Sequence, residues 1–256
     1  MSLVGAHEYL ERFVYEPITT APLIAGGARH RSPRFDPAEF GRFIMRDLKR
    51  WLRETQNGGK AAELSRAGQR VLGVLHTRGL VPLMAEARAS IPAWGVGTAI
   101  DLIAYNRATK NYVCIEIKYS NRAFQWQPPR DGTSEDSPWF RAPYNRIENT
   151  LRNQATAQAT FGLMLWNVAA PSAALREILV VHVRDNTAIQ GRRDFIAEGL
   201  GPRNWCTHMA QLMAVTLQMM DGRLYSIKPR RTIVSGGKRR RVAHNDDDAD
   251  HGDEDG

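Results

Sequence analysis

The chain has 256 residues, of which 43% are hydrophobic, and it carries a formal net charge of +8 at pH 7. This length can bury one good core, and the positive charge favours a polyanionic partner, because neutralising phosphates releases counterions. The sequence excludes a membrane span of about eighteen apolar residues, a secretory signal and a disulfide framework, and its two cysteines, Cys114 and Cys206, are typical of a reducing compartment.

The N-terminal part of the chain predicts irregular structure followed by two helices. Residues 1–35 are rich in proline and glycine and are predicted to be irregular. Asp36 as an N-cap and Pro37 at the first helical position predict a helix that ends near Glu54. A second helix is predicted over 60–78. We take residues 1–58 as an N-terminal segment with a helical extension.

Three strands are predicted next, over 80–90, 96–104 and 112–119. The short connection between the last two predicts an antiparallel hairpin. Asp101 interrupts the apolar run of its strand, and Glu116 and Lys118 lie two positions apart on the following one. Side chains alternate along a strand, so Glu116 and Lys118 share a face, while Val113, Ile115, Ile117 and Tyr119 point the other way, onto a helix.

These residue types suit divalent metal chemistry. The carboxylates of Asp101 and Glu116 and the backbone carbonyl of Ile117 form a hard-oxygen site of the kind that Mg²⁺ prefers, with Mn²⁺ as a substitute. Such a metal lowers the pKa of a bound water, and Lys118 can orient that water or pair with a phosphate. The alternative is that acid–x–Lys lies on a solvated sheet face without a function.

The segment GVGTAIDLIAYNRATKNYVCIEIKYS, residues 95–120, resembles the PD-(D/E)xK nuclease superfamily, which includes type II restriction enzymes, lambda exonuclease, RecB-type nucleases and archaeal Holliday-junction resolvases. The resemblance covers roughly residues 60–185, within a core domain that we place at 59–228. The chain lacks the proline that precedes the first acid in the name of the motif. The resemblance implies an α/β fold with a restriction-endonuclease-like α–β–β–β–α–β core, in which helices flank a mixed sheet.

A long loop and a helix follow the hairpin. Residues 120–145 interleave aromatic residues with arginines, a composition that can stack bases and grip a nucleic acid backbone; the alternative is a lid that contacts no DNA. The candidates for nucleic acid binding are Arg122, Trp126, Arg130, Arg141 and, on the helix, Gln158.

The helix after the loop is predicted over 146–166, with Gln154 and Gln158 on its apolar stripe. In lambda-exonuclease and RecB-type members a glutamine of this helix points at the active site, often within Q-x-x-x-Y. The resemblance therefore implies a role for Gln154, with Gln158 as the rival, although the tyrosine is missing here. It also implies a further acid on the helix before the sheet, for which Glu63 is the candidate and Glu39 and Glu54 are the rivals.

The C-terminal part begins with a buried strand over 177–183. The strand–helix–strand order predicts that it runs parallel to the strand over 112–119. A Met- and Leu-rich helix over 202–221 is predicted to belong to the core. Residues 229–256 hold six Lys/Arg followed by seven Asp/Glu, a charge pattern typical of a disordered tail. Its block Lys238–Arg241 resembles a nuclear localisation signal, which would bind an import receptor; a DNA-gripping arm is the alternative.

Taken together, the sequence predicts a Mg²⁺-dependent deoxyribonuclease of DNA recombination, repair or replication. The alternative is a catalytically inactive DNA-binding or scaffolding protein with the same fold. Exonuclease and endonuclease activity, and a monomer and a homo-oligomer, stay open. The tail predicts a nuclear protein of a eukaryote or of a virus of eukaryotes, and otherwise a cytoplasmic one. No membrane association is expected.

Overall fold

The structure is a computed structural model that describes residues 3–18, 37–59, 62–120, 137–185 and 194–220. All of them belong to one compact unit, Met1–Ser226. The predicted tail over 229–256 lies outside the described residues.

The described ranges contain five α-helices and six strands. The helices are α1 (Ala6–Phe13), α2 (Pro37–Gln56), α3 (Arg66–Thr77), α4 (Leu151–Ala169) and α5 (Cys206–Met220). The strands are β1 (Val4–Gly5), β2 (Leu80–Ile91), β3 (Val96–Asn106), β4 (Tyr112–Tyr119), β5 (Leu175–Asp185) and β6 (Phe195–Leu200). None of the helices in the described ranges is long and apolar enough to cross a membrane.

The strands form one six-stranded mixed sheet in the order β1-β3-β4-β5-β6, with β2 also paired to β3. The pairs β2·β3, β3·β4 and β5·β6 are antiparallel, whereas β1·β3 and β4·β5 are parallel. The predicted hairpin and the predicted parallel crossover through α4 are therefore confirmed. β2 runs along the whole of β3, so β1 and β4 share the opposite edge of that strand.

The core lies on both faces of this sheet. Val113, Ile115 and Ile117 of β4 pack with the buried residues of α2 and α3, as the alternation predicts. Cys114 points the other way, against Ile100 and α4. The molecule is thus an α/β protein in which helices flank a mixed sheet. The Met-rich α5 contributes to the core, since Met209, Met213 and Leu217 are buried.

Two helices begin later in the chain than predicted, each directly after a residue whose side chain caps its first turn. The Ser65 hydroxyl accepts from the Gly68 N–H, so α3 begins at Arg66 rather than near residue 60. The Thr150 hydroxyl accepts from the Asn153 N–H, so α4 begins at Leu151 rather than near residue 146. Buried Asp47 of α2 accepts from the backbone and hydroxyl of Ser65, which ties α2 to the start of α3.

Three elements were not predicted. β1 and α1 lie within the range predicted to be irregular, and β6 was missed. Buried Tyr9 and Leu10 anchor α1, and the Tyr9 ring stacks on Phe161 of α4 at a centroid distance of 5.0 Å. β1 and β6 are too short to show a clear alternation of polar and apolar residues. The N-terminal segment therefore contributes a strand and two helices to the same core.

Candidate active site

The ladder between β3 and β4 stops one residue short of the two acids. Leu102 pairs with Ile115, and no pair is formed beyond that point. Instead, the Ile117 N–H donates to Asp101 Oδ2 at 2.7 Å. The Asp101 carboxylate thus occupies the position of a strand carbonyl, and β3 and β4 separate around it.

β3 also reverses its faces at Asp101. Ile100 belongs to the apolar cluster on the α4 side, whereas Leu102 belongs to the cluster under α2 and α3. Residues two apart on a regular strand share a face, so the strand is irregular between them. β2 changes face at the same level, where Glu86 has a φ of 52° in the left-handed region. This local irregularity directs the Asp101 side chain into the gap.

Glu116 and Lys118 continue β4 beyond the separation. Lys118 Nζ lies 2.7 Å from Glu116 Oε1, with the two side chains 34% and 13% exposed. Burial lowers the pKa of Lys118, but the negative charges of Glu116 and Asp101 outweigh burial, and the net pKa is raised. Lys118 is therefore a stable cation between two carboxyl groups.

Asp101 is the most perturbed carboxyl group of the site. Burial raises its pKa to about 8, and the charge of Glu116 adds to the increase. Lys118 and the Ile117 N–H act in the opposite direction without restoring the ordinary value. A carboxyl group whose ionisation is disfavoured by burial and by a neighbouring carboxylate is one that a bound cation would stabilise in its charged form.

A cleft of about 300 Å³ opens over these residues, between the β1–α1 junction, β3, β4 and α4. It is lined by Gly5, Ala6, His7, Gly97, Thr98, Ala99, Ile100, Cys114, Glu116, Lys118, Gln158 and Gly162. The structure therefore brings Glu116, Lys118 and Gln158 to one cavity, and the hydrogen bond to Ile117 holds Asp101 beside it.

The two glutamines of α4 have different surroundings. Gln158 lines the cleft, and its Nε2 donates to the hydroxyl of buried Tyr15 at 2.9 Å. Gln154 Nε2 donates to the Glu16 carbonyl at 2.9 Å and to Asn149 Oδ1 at 2.8 Å. Gln154 thus fastens the segment after α1 to α4, and Gln158 is the glutamine that faces the site.

Two of the other predicted site residues, Glu63 and Arg141, do not line the cleft. Glu63 is exposed on the loop before α3, and its backbone carbonyl accepts from Arg50 at 3.3 Å. Arg141 is exposed and pairs with Glu16 at 3.1 Å. Arg122, Trp126 and Arg130 lie outside the described residues.

Sequence reasoning missed two residues at the site, His7 and Tyr15. His7, at the start of α1, lines the cleft, and its Nδ1 lies 3.0 Å from Glu11 Oε1. Tyr15 holds Gln158 from the segment after α1. The helical spacing of Tyr9, Leu10 and Phe13 was the signal that could have placed His7 on an ordered element. Tyr15 follows that helix and has no comparable local signal.

The donor set fits a hard divalent cation. Mg²⁺ is commonly held by one or two carboxylates and completes its shell with water and phosphate oxygens, which matches Asp101 and Glu116. The N–H and C=O of one strand residue point to the same edge, so the Ile117 carbonyl also faces the gap. Within the described ranges no three His, Cys, Asp or Glu side chains converge on a common point.

No protein-family model and no curated protein sequence matches the chain. Function is therefore inferred from the residues of the cleft and their surroundings.

Proposed function

We propose that this protein is a metal-dependent nuclease that hydrolyses DNA phosphodiester bonds, and that its core is restriction-endonuclease-like. The observation that carries the proposal is the separation of β3 from β4 around Asp101, Glu116 and Lys118. Glu116 and Lys118 line a single cleft there, the hydrogen bond to Ile117 holds Asp101 beside it, and the pKa of Asp101 is raised to about 8 by burial and by Glu116.

The carboxylates of Asp101 and Glu116, with the Ile117 carbonyl, would hold Mg²⁺ or Mn²⁺. When bound, the metal would stabilise charge on a phosphate and acidify a water. The imidazole of His7 lines the same cleft and could supply a nitrogen ligand after leaving Glu11. Imidazole is a softer ligand than carboxylate, so its participation would favour Mn²⁺ over Mg²⁺.

Lys118 and Gln158 are assigned the roles that need hydrogen-bond donors. The Lys118 ammonium group stays protonated at neutral pH and can donate to the attacking water or to a phosphate oxygen. Gln158 presents an amide whose position is fixed by Tyr15. An amide keeps both a donor and an acceptor at every pH, so it can orient a water without competing for the metal.

Two further features support the proposal. The order α3, β2, β3, β4, α4, β5 corresponds to the α–β–β–β–α–β order of the superfamily core. The net charge of +8 suits a phosphate-rich substrate.

The test is cleavage of labelled linear duplex, single-stranded and four-way-junction DNA with Mg²⁺ or Mn²⁺. Glu116→Gln and Lys118→Ala should each reduce the rate by about a hundredfold or more, because each removes a group placed at the reacting phosphate. Glu63→Gln is the matched control, since that glutamate is exposed on a loop, and it should cut like the wild type. Cleavage that survives both site variants, or that needs no metal, would contradict the proposal.

A DNA-binding protein without turnover is the second candidate. The observation that favours it is the net charge of +8, which suits a nucleic acid partner whether or not that partner is cut. Binding of all three DNA substrates by the wild type, with no cleavage under either metal, would select this alternative.

A further inference from the structure

A row of polar side chains leads away from the cleft across the sheet. Lys118 of β4 pairs with His182 of β5, and His182 pairs with Glu198 of β6. Paired residues on neighbouring strands project from the same face, so the three lie in one row. With strands about 4.8 Å apart, Glu198 lies about 10 Å from Lys118.

Three arginines surround the far end of this row, and we call Arg152, Arg184 and Arg203 the arginine cluster. Arg184 follows His182 by two positions on β5 and therefore shares its face. Arg152 is in the first turn of α4, and Arg203 precedes α5. Leu151 and Trp205 pack in one apolar cluster, which brings these two segments together.

The arginine cluster contains buried hydrogen-bond donors that have no acceptor among the described residues. The Nε atoms of all three side chains are buried and have no hydrogen-bond partner among the described residues. Burial and then the charge of Arg203 lower the pKa of Arg152, and Glu198 only partly opposes them. Buried donors without acceptors and like charges held together are both costly, and one bound anion would relieve both.

We propose that the arginine cluster binds backbone phosphates of the nucleic acid strand that enters the cleft. This inference rests on the proposed function, because it takes the phosphate beside Lys118 as the point of cleavage and measures the distance along the row from there. A distance of about 10 Å spans only a few nucleotides of a strand. The cluster would then hold the strand within a few nucleotides of the scissile bond, and it would not discriminate between bases.

The test is binding of a labelled single-stranded oligonucleotide in EDTA, measured by fluorescence anisotropy at several salt concentrations. The double variant Arg152→Gln/Arg203→Gln should bind about tenfold more weakly or worse. Its slope of log affinity against log salt should shrink by about 1.4, or about 0.7 for each phosphate that the variant leaves without a cationic partner. The matched control is Arg107→Gln/Lys110→Gln, which removes two exposed charges at the turn of the β3–β4 hairpin and should weaken binding less than about threefold.

Equal weakening by the two double variants, or wild-type affinity in the Arg152→Gln/Arg203→Gln variant, would overturn the proposal. Arg152→Lys/Arg203→Lys guards against misfolding, because it keeps both charges and should retain most of the affinity. An oligonucleotide with a 5′-phosphate should bind like one without. If that group strengthens binding only when the cluster is intact, the site takes strand ends, and an internal backbone contact is refuted.

The outcomes also separate this proposal from the nuclease proposal. Weaker DNA binding by the cluster variant of a protein that never cuts DNA would leave the phosphate site in place and refute the nuclease. Wild-type binding and cleavage by the cluster variant would refute the phosphate site alone.

Discussion

At the scale of single residues, Asp101 has two functions in the fold. Its carboxylate replaces a strand carbonyl as the acceptor for the Ile117 N–H, and it is also the half-buried acid beside the cleft. The first function explains why an acid interrupts an apolar strand. The second makes its protonation a property of the whole site, because burial and Glu116 both disfavour the charged form.

The raised pKa of Asp101 predicts a specific effect of pH on stability. The folded protein holds this proton up to about pH 8, whereas the unfolded chain loses it near pH 4, so Asp101 costs stability as the pH rises between these values. Asp101→Asn keeps an acceptor for Ile117 and removes the ionisation. In EDTA it should melt several degrees above the wild type at pH 9 and close to it at pH 4. The same difference in melting temperature between the variant and the wild type at pH 4 and at pH 9 would contradict the raised pKa of Asp101.

The sequence was sufficient to predict that Asp101, Glu116 and Lys118 lie together on neighbouring strands, because a strand with an acid among apolar residues carries a local signal. It was not sufficient to choose between Gln154 and Gln158. Both lie on the same stripe of α4, and only the contacts of Gln154 with Glu16 and of Gln158 with Tyr15 distinguish them. His7 was missed for a related reason, since its element is short and is stabilised by packing against α4.

At the scale of elements, α4 is the helix that forms one wall of the cleft, through Gln158 and Gly162. Gly162 allows this helix to approach β3, since a Cβ atom at that position would lie 3.2 Å from Ile100 Cγ1 and 3.7 Å from Cys114 Sγ. Ile100 precedes Asp101, so the depth of the cleft depends on this contact.

Two glycine substitutions test this contact. Gly162→Val should destabilise the protein by about 1–3 kcal/mol, because the larger side chain forces α4 away from the sheet. Gly73→Ala is the control within an exposed helix position of α3, where nothing lies within 4 Å, and it should stabilise by about 0.5–1 kcal/mol. Urea denaturation measures both. A Gly162→Val variant as stable as the wild type would show that the helix is not held close to β3.

The central elements were predictable because their patterns are long. β4 was predicted to the residue, and β2, β3, β5 and α2 were predicted to within about two residues. The starts of α3 and α4 were not predicted, because Ser65 and Thr150 compete with other polar residues as caps, and only tertiary contacts such as that of Asp47 decide between them. β1 and β6 depend on partners distant in sequence, which a local pattern does not record.

At the scale of the whole molecule, a cation in the cleft would act on global stability. A ligand that binds only the folded state at a hundred times its Kd adds about 2.7 kcal/mol, or about 5–10 °C for a protein of this size. We expect Mn²⁺ or Mg²⁺ at saturating concentration to raise the melting temperature of the wild type by this amount at pH 8. Glu116→Gln should show little increase, and an equal increase in the two proteins would place the cation elsewhere.

The hydrogen bond from Ile117 to Asp101 gives the protein a built-in reporter. If the carboxylate turns towards a cation, this one backbone amide loses its acceptor, while the flanking amides of β4 keep their partners in β5. Its proton resonance and its exchange with deuterium would then follow occupancy of the cleft at one assigned amide, without a substrate. The irregularity that separates β3 from β4 thus also makes occupancy of the cleft measurable at a single backbone amide.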